Sequence, residues 1–201
     1  MKVRTEARHD RILEVATQVF LESGYERAAM SEIARRLGGS KATLYGYFPS
    51  KDLLFLAVIH NQTQRLHEAM ETAARSTGPS QLRDDLISVG ERFVHFLGSA
   101  FGQAVHRMVL AEAGRSAIGR KFYDDGPKQG WNLIAAALQA AMARGELRMA
   151  DPQLAARHLT GLLLGEVHER WFDPELPELT AADTRSAAER SVDVFLRAYA
   201  A

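Results

Sequence analysis

Apolar residues recur at helical spacing along nearly the whole chain, and this period constrains the fold more than any other feature. Ile12, Val15, Ala16 and Val19 repeat every three or four residues, as the buried face of a helix requires. No stretch alternates polar and apolar residues as a half-buried strand would, and glycines and prolines cluster between the periodic stretches. The chain is therefore predicted to be all-α, with about nine helices.

Several helix ends can be predicted from capping residues. Ser50 is a predicted N-cap, Asp151 precedes a proline that suits the first turn of a helix, and Thr180 with Asp183 resembles a capping box. Gly78-Pro79-Ser80 marks the clearest break between helices. We place a functional boundary near residue 50, with segments 1–50 and 51–201, and expect the helix after Ser50 to belong to both.

Composition excludes some kinds of protein. The 201 residues include no cysteine, which rules out disulfides, thiolate metal sites and cysteine nucleophiles. No run is apolar enough to cross a bilayer, and the charged first ten residues are unlike a signal peptide, so we expect a cytoplasmic protein without membrane contact. The net charge is zero, but Lys2, Arg4, Arg8 and Arg11 crowd the first eleven residues, where a flexible arm could meet phosphates.

The spacing between residues 33 and 44 is typical of a helix-turn-helix. Ala34 is a small residue where a second helix would cross the first, and Gly38 tolerates the positive φ that the turn needs. Leu44 would anchor the second helix in the core, and Ile33 and Leu37 complete the inner face. This pattern predicts a DNA-binding unit of three short helices followed by a larger helical body.

The first fifty residues also resemble the DNA-binding domain of the TetR family, in order and with essentially no gaps. The resemblance is carried by Arg11-Ile12-Leu13, Ala16, Phe20, Gly24-Tyr25, Ile33-Ala34 and the run SKATLYGYFPSK at 40–51. It implies that residues 40–48 form the recognition helix in the major groove.

Individual DNA-contact roles follow from the resemblance. Ser40 would cap the recognition helix with its backbone amides towards the nucleic acid, while Lys41 and Ala42 would meet base edges. The positions that would bind phosphates are Thr43, Tyr45, Tyr47 and Lys51. For Tyr45 the alternative is packing against the first helix. Arg35 and Arg36 are expected to be solvated, or to reach a flanking phosphate.

Three departures from the family pattern stand out. Ala28-Ala29 occupies the place of the usual Ser or Thr cap of the second helix, so Ser31 is the alternative cap. Gly39 replaces an apolar turn residue. Gly46 lies inside the recognition helix, where it costs up to about 1 kcal/mol relative to Ala and removes a side chain often used for base contact.

The region beyond residue 80 resembles, more loosely, the C-terminal domain of AefR-like TetR regulators. The likeness lies in 110–113, Phe122-Tyr123, 143–147 and 161–165. It implies a ligand pocket, and the mixture of aromatic and polar side chains in this region suggests a small amphipathic or aromatic ligand. No cofactor or metal is expected. The candidate ligand-binding residues are Phe96, His106, Leu110, Trp131, Leu162 and Glu166. The alternative for the aromatic and apolar residues is a role in the core, and the alternative for His106 is a surface histidine or one with its hydrogen bonds satisfied within the protein.

Two helices are candidates for a homodimer interface. Residues 154–167 are apolar on nearly every face, and Gly161 and Gly165 would allow close backbone approach. The candidate interface residues are Gly161, Leu164, Gly165, His168, Val192, Phe195 and Leu196. The alternative is that the stripe on the last helix packs only within the monomer.

The sequence thus predicts a ligand-responsive repressor that binds a palindromic double-stranded DNA operator as a homodimer and is released by a small molecule. One alternative is a constitutive repressor without a ligand. The other is a helical enzyme using His106, Glu112 and His168, but no nucleophile or phosphate loop accompanies these residues, so we predict that the chain is not an enzyme.

Overall fold

The computed structural model describes residues 5–75, 77–112, 117–173 and 175–201, apart from the side chains of Pro79, Ser80, Glu112 and Ile118. These ranges contain ten α-helices, one short 3-10 helix and no strand, which confirms the all-α prediction. None of the helices within them has the length and apolar character needed to cross a membrane.

The helices follow one another with short connections. The first four are α1 (Glu6–Arg27), α2 (Met30–Arg36), α3 (Lys41–Tyr47) and α4 (Lys51–Ala73). The next four are α5 (Pro79–Gly98), α6 (Ala100–Glu112), α7 (Ala117–Asp125) and α8 (Pro127–Ala143). Helix α9 (Pro152–Gly165), the 3-10 helix (His168–Trp171) and α10 (Ala181–Tyr199) complete the chain.

Helix α7 was missed by the sequence prediction. It is short and rich in charge, so it lacks a long apolar stripe. Ion pairs one turn apart support it instead: Lys121 pairs with Asp125 at 2.7 Å, and Asp124 pairs with both Arg120 and Lys128. Surface pairs of this kind add to the packing of Phe122, which lies against buried residues.

The predicted N-caps are confirmed. The Ser50 hydroxyl accepts a hydrogen bond from the Leu53 amide, and the Asp151 carboxylate accepts from the amides that open α9. Thr180 and Asp183 form the reciprocal bonds of a capping box at the start of α10. These bonds satisfy amides that the first turn of a helix leaves without partners.

The buried residues form two separate clusters. The N-terminal core joins α1, α2, α3 and the first half of α4, and it includes Val105 of α6. The C-terminal core joins the second half of α4 with α5, α8, α9 and α10. Helix α4 contributes to both, with Phe55 and Val58 in the first and Met70 and Ala73 in the second.

Candidate nucleic-acid interface and ligand-binding region

The predicted helix-turn-helix spacing is confirmed. Ile33, Ala34 and Leu44 are buried in the N-terminal core, where α2 and α3 pack together. Gly38 has a φ of 62°, the left-handed conformation that the tight turn needs and that glycine adopts without a steric penalty. The turn thus fixes the angle at which α3 leaves the surface.

The first residues of α3 are turned towards solvent. The Ser40 side chain accepts a hydrogen bond from the Thr43 amide at 3.1 Å, as the predicted cap requires. Lys41 and Ala42 are exposed, and Lys41 makes no hydrogen bond or ion pair with any other residue that the structure describes. A cation at a capped helix start, without an internal partner, is available to an acceptor outside the protein.

The two tyrosines of α3 have different surroundings. Tyr45 is 46% exposed, so packing against α1 does not cover it. Tyr47 is half-buried, and its hydroxyl accepts a hydrogen bond from the Thr5 amide at 3.0 Å. This leaves the Tyr47 O–H as a donor for a phosphate oxygen. Thr43 is half-buried, with its hydroxyl 3.0 Å from that of Ser40.

Lys51 has a structural role that the sequence did not show. Its Nζ donates to the carbonyl of Tyr25 at 2.8 Å and to that of Glu26 at 3.2 Å, and it lies 4.4 Å from the centroid of the Tyr25 ring. These contacts join the start of α4 to the end of α1. The positive charge of Lys51 is therefore explained by contacts within the protein, and the binding of Lys51 to a DNA phosphate stays a prediction.

Arg35 and Arg36 are exposed to solvent, as expected, and both are also paired with carboxylates. Arg36 bonds Glu22 at 2.6 Å and Glu32 at 2.7 Å, and Arg35 bonds Glu32 at 2.7 Å. Hydrogen bonds from the two arginines lower the pKa of Glu32 from 4.5 to about 2, and bonds to Glu22 and Glu32 raise the pKa of Arg36. Each arginine is thus already engaged by a carboxylate of the protein.

The cap of α2 differs from the sequence interpretation. The helix begins at Met30 with Ala29 as its N-cap residue, and no side chain caps it. Ser31 lies inside the helix and is exposed, so it does not replace the missing Ser or Thr. Glu32 in the first turn places negative charge near the positive end of the helix dipole, which compensates in part.

The first turn of α1 packs along the helix-turn-helix, which the sequence did not predict. Arg8 Nη2 donates to the Leu37 carbonyl at 3.4 Å, and the His9 ring lies 5.3 Å from the ring of Phe48. These contacts join residues that are far apart in the chain, so they cannot be predicted from a local sequence pattern. The predicted arm residues Lys2 and Arg4 lie outside the described residues.

Aromatic contacts join α6 to the 3-10 helix. The rings of His106 and Trp171 are stacked with centroids 4.0 Å apart. Burial, and secondly the charge of Arg107, lowers the pKa of His106. Trp171 Nε1 is buried, and within the described part of the chain it has no hydrogen-bond partner. Val105, which precedes His106 in α6, lies in the N-terminal core.

Other candidate ligand-binding residues are dispersed. Phe96 packs edge-on against Phe101 with centroids 6.3 Å apart, and Trp131 packs edge-on against Phe93 at 5.3 Å. Leu162 is half-buried against the C-terminal core.

Two of the candidates do not fit a pocket inside the protomer. Leu110 is 61% exposed, because Val105, Met108 and Val109 occupy the inner face of α6. Glu166 is bound to Arg190 of α10 at 2.6 Å, so its carboxylate already has a partner. The side chain of Glu112, the other carboxylate considered, lies outside the description.

The candidate interface residues divide into surface and core. Val192 and Phe195 are 0% and 1% exposed in the protomer's own core, so the structure corrects their assignment to an interface. Gly161, Gly165 and His168 are exposed. Leu164 and Leu196 are half-buried. Two exposed apolar residues on the same helices, Leu154 and Val194, were missed because helical phase alone did not separate the inner face from the outer one.

Comparison with known proteins supports the assignment of both halves. Residues 12–58 match the model for bacterial regulatory proteins of the tetR family, and residues 84–201 match that for the AefR-like transcriptional repressor C-terminal domain. A relative from Mycolicibacterium smegmatis, the HTH-type transcriptional activator FasR, is 38% identical over 90 residues, which cover 45% of this chain and 40% of FasR. The matches to the first curated relatives span 39–51% of their lengths.

Solved structures agree over nearly the full chain. A TetR-family regulator from Mesorhizobium loti superposes with a TM-score of 0.78 at 27% identity, covering 100% of both chains. The flavonoid-responsive regulator FrrA gives a TM-score of 0.66 at 29% identity, covering 98% of each. Together with the family matches and the helix-turn-helix geometry, these similarities show that the chain belongs to the TetR family and is a DNA-binding transcriptional regulator, not an enzyme.

Proposed function

We propose that this regulator is a ligand-responsive repressor, which binds a palindromic operator in the cytoplasm as a homodimer and is released by a small molecule. The proposal divides the chain into a DNA-binding segment, 1–50, and a regulatory segment, 51–201. The observation that carries it is the exposed start of α3, where Ser40 caps the helix and Lys41 and Ala42 face solvent.

The chemistry of these residues defines how an operator would be read. Lys41 would donate to the acceptors of guanine, and Ala42 would contact a thymine methyl in the major groove. Thr43, Tyr45, Tyr47 and Lys51 would bind phosphates and fix the register of α3 on the duplex. Because Gly46 offers no side chain, few base contacts are available, and DNA shape would contribute to specificity.

A homodimer is supported by the outward faces of α9 and α10. Val194 is 50% exposed and Leu154 is 41% exposed, while Gly161 and Gly165 have open space at their Cβ positions. Apolar side chains beside exposed glycines suit close packing of two helices from a second copy. Two recognition helices would then meet half-sites one helical turn apart, which gives the affinity that one short helix lacks.

Ligand response is supported by the position of α6. Val105 belongs to the N-terminal core, whereas the adjacent His106 is stacked on Trp171. A planar aromatic molecule carrying a hydrogen-bond acceptor could insert beside Trp171 and satisfy its unpaired Nε1. Displacement of α6 would then be passed to the N-terminal core through Val105.

Release follows if the ligand prefers the displaced arrangement. A molecule that binds one conformation more tightly shifts the population towards it, and a coupling free energy of about 1–3 kcal/mol is sufficient for a useful response. FrrA is named as flavonoid-responsive. A flavonoid is therefore a reasonable first probe for this protein.

The DNA-binding experiment uses fluorescence anisotropy with the intergenic DNA upstream of the protein's own gene. Lys41→Ala is expected to lose preference for the operator over a scrambled duplex. Arg75→Ala, an exposed cation just past the end of α4 that lies away from α3, is the control and should keep that preference. Equal loss in both variants, or none in either, would contradict the assignment of Lys41.

Ligand response is tested with naringenin as the flavonoid probe, by thermal shift and by release of bound operator. Stabilisation together with release supports the proposal, and His106→Ala should abolish both while leaving operator affinity intact. If the probe releases the operator equally from the wild type and from His106→Ala, the ligand binds at another site.

A reporter gene placed behind the operator tests whether the protein represses or activates transcription. This needs a test of its own, since FasR is named as an activator. If the protein is a repressor, deletion of the regulator should raise expression of the reporter.

A further inference from the structure

Gly39 has no conformational reason to be glycine. Positive φ values among the described glycines occur at Gly24, Gly38 and Gly145 only. Any residue could therefore adopt the backbone conformation at position 39. The reason lies in space: a Cβ added to Gly39 would come within 2.7 Å of Nη2 of Arg8.

Because Gly39 has no side chain, there is room for the Arg8 guanidinium on the turn between α2 and α3, and we call this space the seat of Arg8. Arg8 Nη2 reaches the Leu37 carbonyl at 3.4 Å, which is a long and weak hydrogen bond. A guanidinium has several further N–H donors in a planar fork. Most of its hydrogen-bonding capacity is thus unused by the protein.

Arg8 also differs from Arg11, Arg35 and Arg36 in its charge environment. Arg11 is paired with Glu14, and Arg35 and Arg36 are paired with carboxylates of α1 and α2. Arg8 forms no ion pair with any carboxylate in the described ranges. Its positive charge is therefore available to an external anion.

Contacts at both ends of α3 place this charge beside the recognition helix. Gly39, on which the guanidinium rests, directly precedes the capping residue Ser40, and neighbouring Cα atoms are only about 3.8 Å apart. At the other end of α3 the Thr5 amide donates to the Tyr47 hydroxyl. The first turn of α1 thus follows α3 along its length.

We propose that Arg8 binds a DNA phosphate at the edge of the groove that α3 enters, and that Gly39 holds it in place by leaving room for its guanidinium. Arg suits this role because its fork can donate two parallel hydrogen bonds to one phosphate. The contact fixes register and strengthens binding without reading sequence. This inference depends on DNA binding, and it is independent of the ligand and of the sign of regulation.

The test measures affinity for duplex DNA as a function of salt concentration. Each phosphate contact adds about 0.9 to the steepness of log affinity against log salt for B-DNA. Arg8→Ala should make the slope shallower by that amount for each bound protomer. When salt is raised from about 50 to 200 mM, the variant should therefore lose roughly 3.5-fold less affinity per protomer than the wild type loses. Arg8→Lys should keep most of the slope, since the charge remains.

Gly39→Ala provides the second arm, because the new methyl group displaces the guanidinium from its seat. It should weaken binding in the wild-type background and have no further effect in the Arg8→Ala background. Arg75→Ala, which removes an exposed cation just past the end of the 23-residue helix α4 that lies away from α3, is the matched control and should leave the slope unchanged.

A structural role for Arg8 would give a different pattern. In that case Arg8→Ala would lower the melting temperature with an unchanged salt slope, and the proposal would be overturned. The proposal would also be overturned if Gly39→Ala reduced DNA affinity equally in the wild-type and Arg8→Ala backgrounds. Because phosphate contacts are independent of sequence, the slopes are measured on a scrambled duplex as well, so failure to recognise the chosen operator does not affect this result.

Discussion

The N-terminal and C-terminal cores are built in different ways. Helices α2 and α3 have seven residues each, too few to be stable alone, and they are held by a tight turn, one cap and a cluster of ion pairs. Helices α5 and α10, with 20 and 19 residues, pack extensively through small and aliphatic side chains. In the first region individual residues determine the geometry, whereas in the second the packing of whole helix faces does.

This difference predicts that stability and DNA binding separate between the two regions. Beyond α1–α3, the described residues that contribute to the N-terminal core come from α4, from α6 and from one residue of α7, Phe122. Changes in the N-terminal core should therefore alter DNA affinity directly. Changes in the C-terminal core should alter stability while leaving the exposed face of α3 unchanged.

The largest expected effects come from cavities in the two cores. Leu44→Ala and Leu138→Ala each remove a buried side chain and should lower the free energy of unfolding by about 2–5 kcal/mol, measured by urea denaturation. Leu44→Ala should also abolish operator binding at temperatures where Leu138→Ala still binds. Full affinity in Leu44→Ala would show that α3 does not depend on its core anchor.

A smaller effect is expected from two matched capping residues. Ser40→Ala and Thr180→Ala each remove a hydroxyl that accepts a bond from a helix amide, and each should cost about 1 kcal/mol of stability. Ser40 lies at the start of α3, so its loss should also reduce DNA affinity in anisotropy measurements. Thr180→Ala should leave affinity unchanged. Equal losses of affinity would contradict the separation of the two regions.

Two helical glycines with open space at their Cβ positions offer a gain of stability. Gly46 in α3 and Gly161 in α9 have no atom within 4 Å of a built Cβ, so replacement by Ala should raise stability by up to about 1 kcal/mol each in thermal unfolding. Gly161→Ala should weaken dimerisation, measured by analytical ultracentrifugation, and Gly46→Ala should leave it intact. A stronger dimer in Gly161→Ala would rule out close helix approach at that face.

The smallest expected effect concerns Glu32 and its pH dependence. Since the folded state lowers the pKa of Glu32 from 4.5 to about 2, its stabilising contribution is present above pH 4.5 and is lost as the pH falls towards 2. Glu32→Gln should therefore melt lower than the wild type at pH 7, and the difference should vanish near pH 2. Glu26→Gln is the control and should show no such trend. A constant difference across this range would exclude the ion pairs as its cause.

The fold and the centre of the DNA-binding site could be predicted because they depend on local patterns. The periodic apolar residues gave the helices, and the spacing of Ala34, Gly38 and Leu44 gave the turn. The caps at Ser50, Asp151 and Thr180 followed from short motifs, each confirmed by a hydrogen bond. Each of these signals lies within a few residues of the feature that it predicts.

Features that depend on distant contacts could not be predicted. Lys51 bonds carbonyls of α1, and Arg36 pairs with Glu22 across two helices, so neither partner is visible locally. Val192 and Phe195 share a stripe typical of an interface, but α5 covers that stripe inside the protomer. Periodicity reports that a helix face is apolar and does not report which surface covers it.

Hydrogen exchange with and without operator DNA would locate the DNA-binding element within the chain. Protection gained on binding is expected at the start of α1, the turn at Gly38-Gly39 and α3, while amides of α8 in the C-terminal core should be unchanged. Protection confined to α8, α9 and α10, with α3 exchanging as in the free protein, would contradict the assignment of α3 as the DNA-binding element.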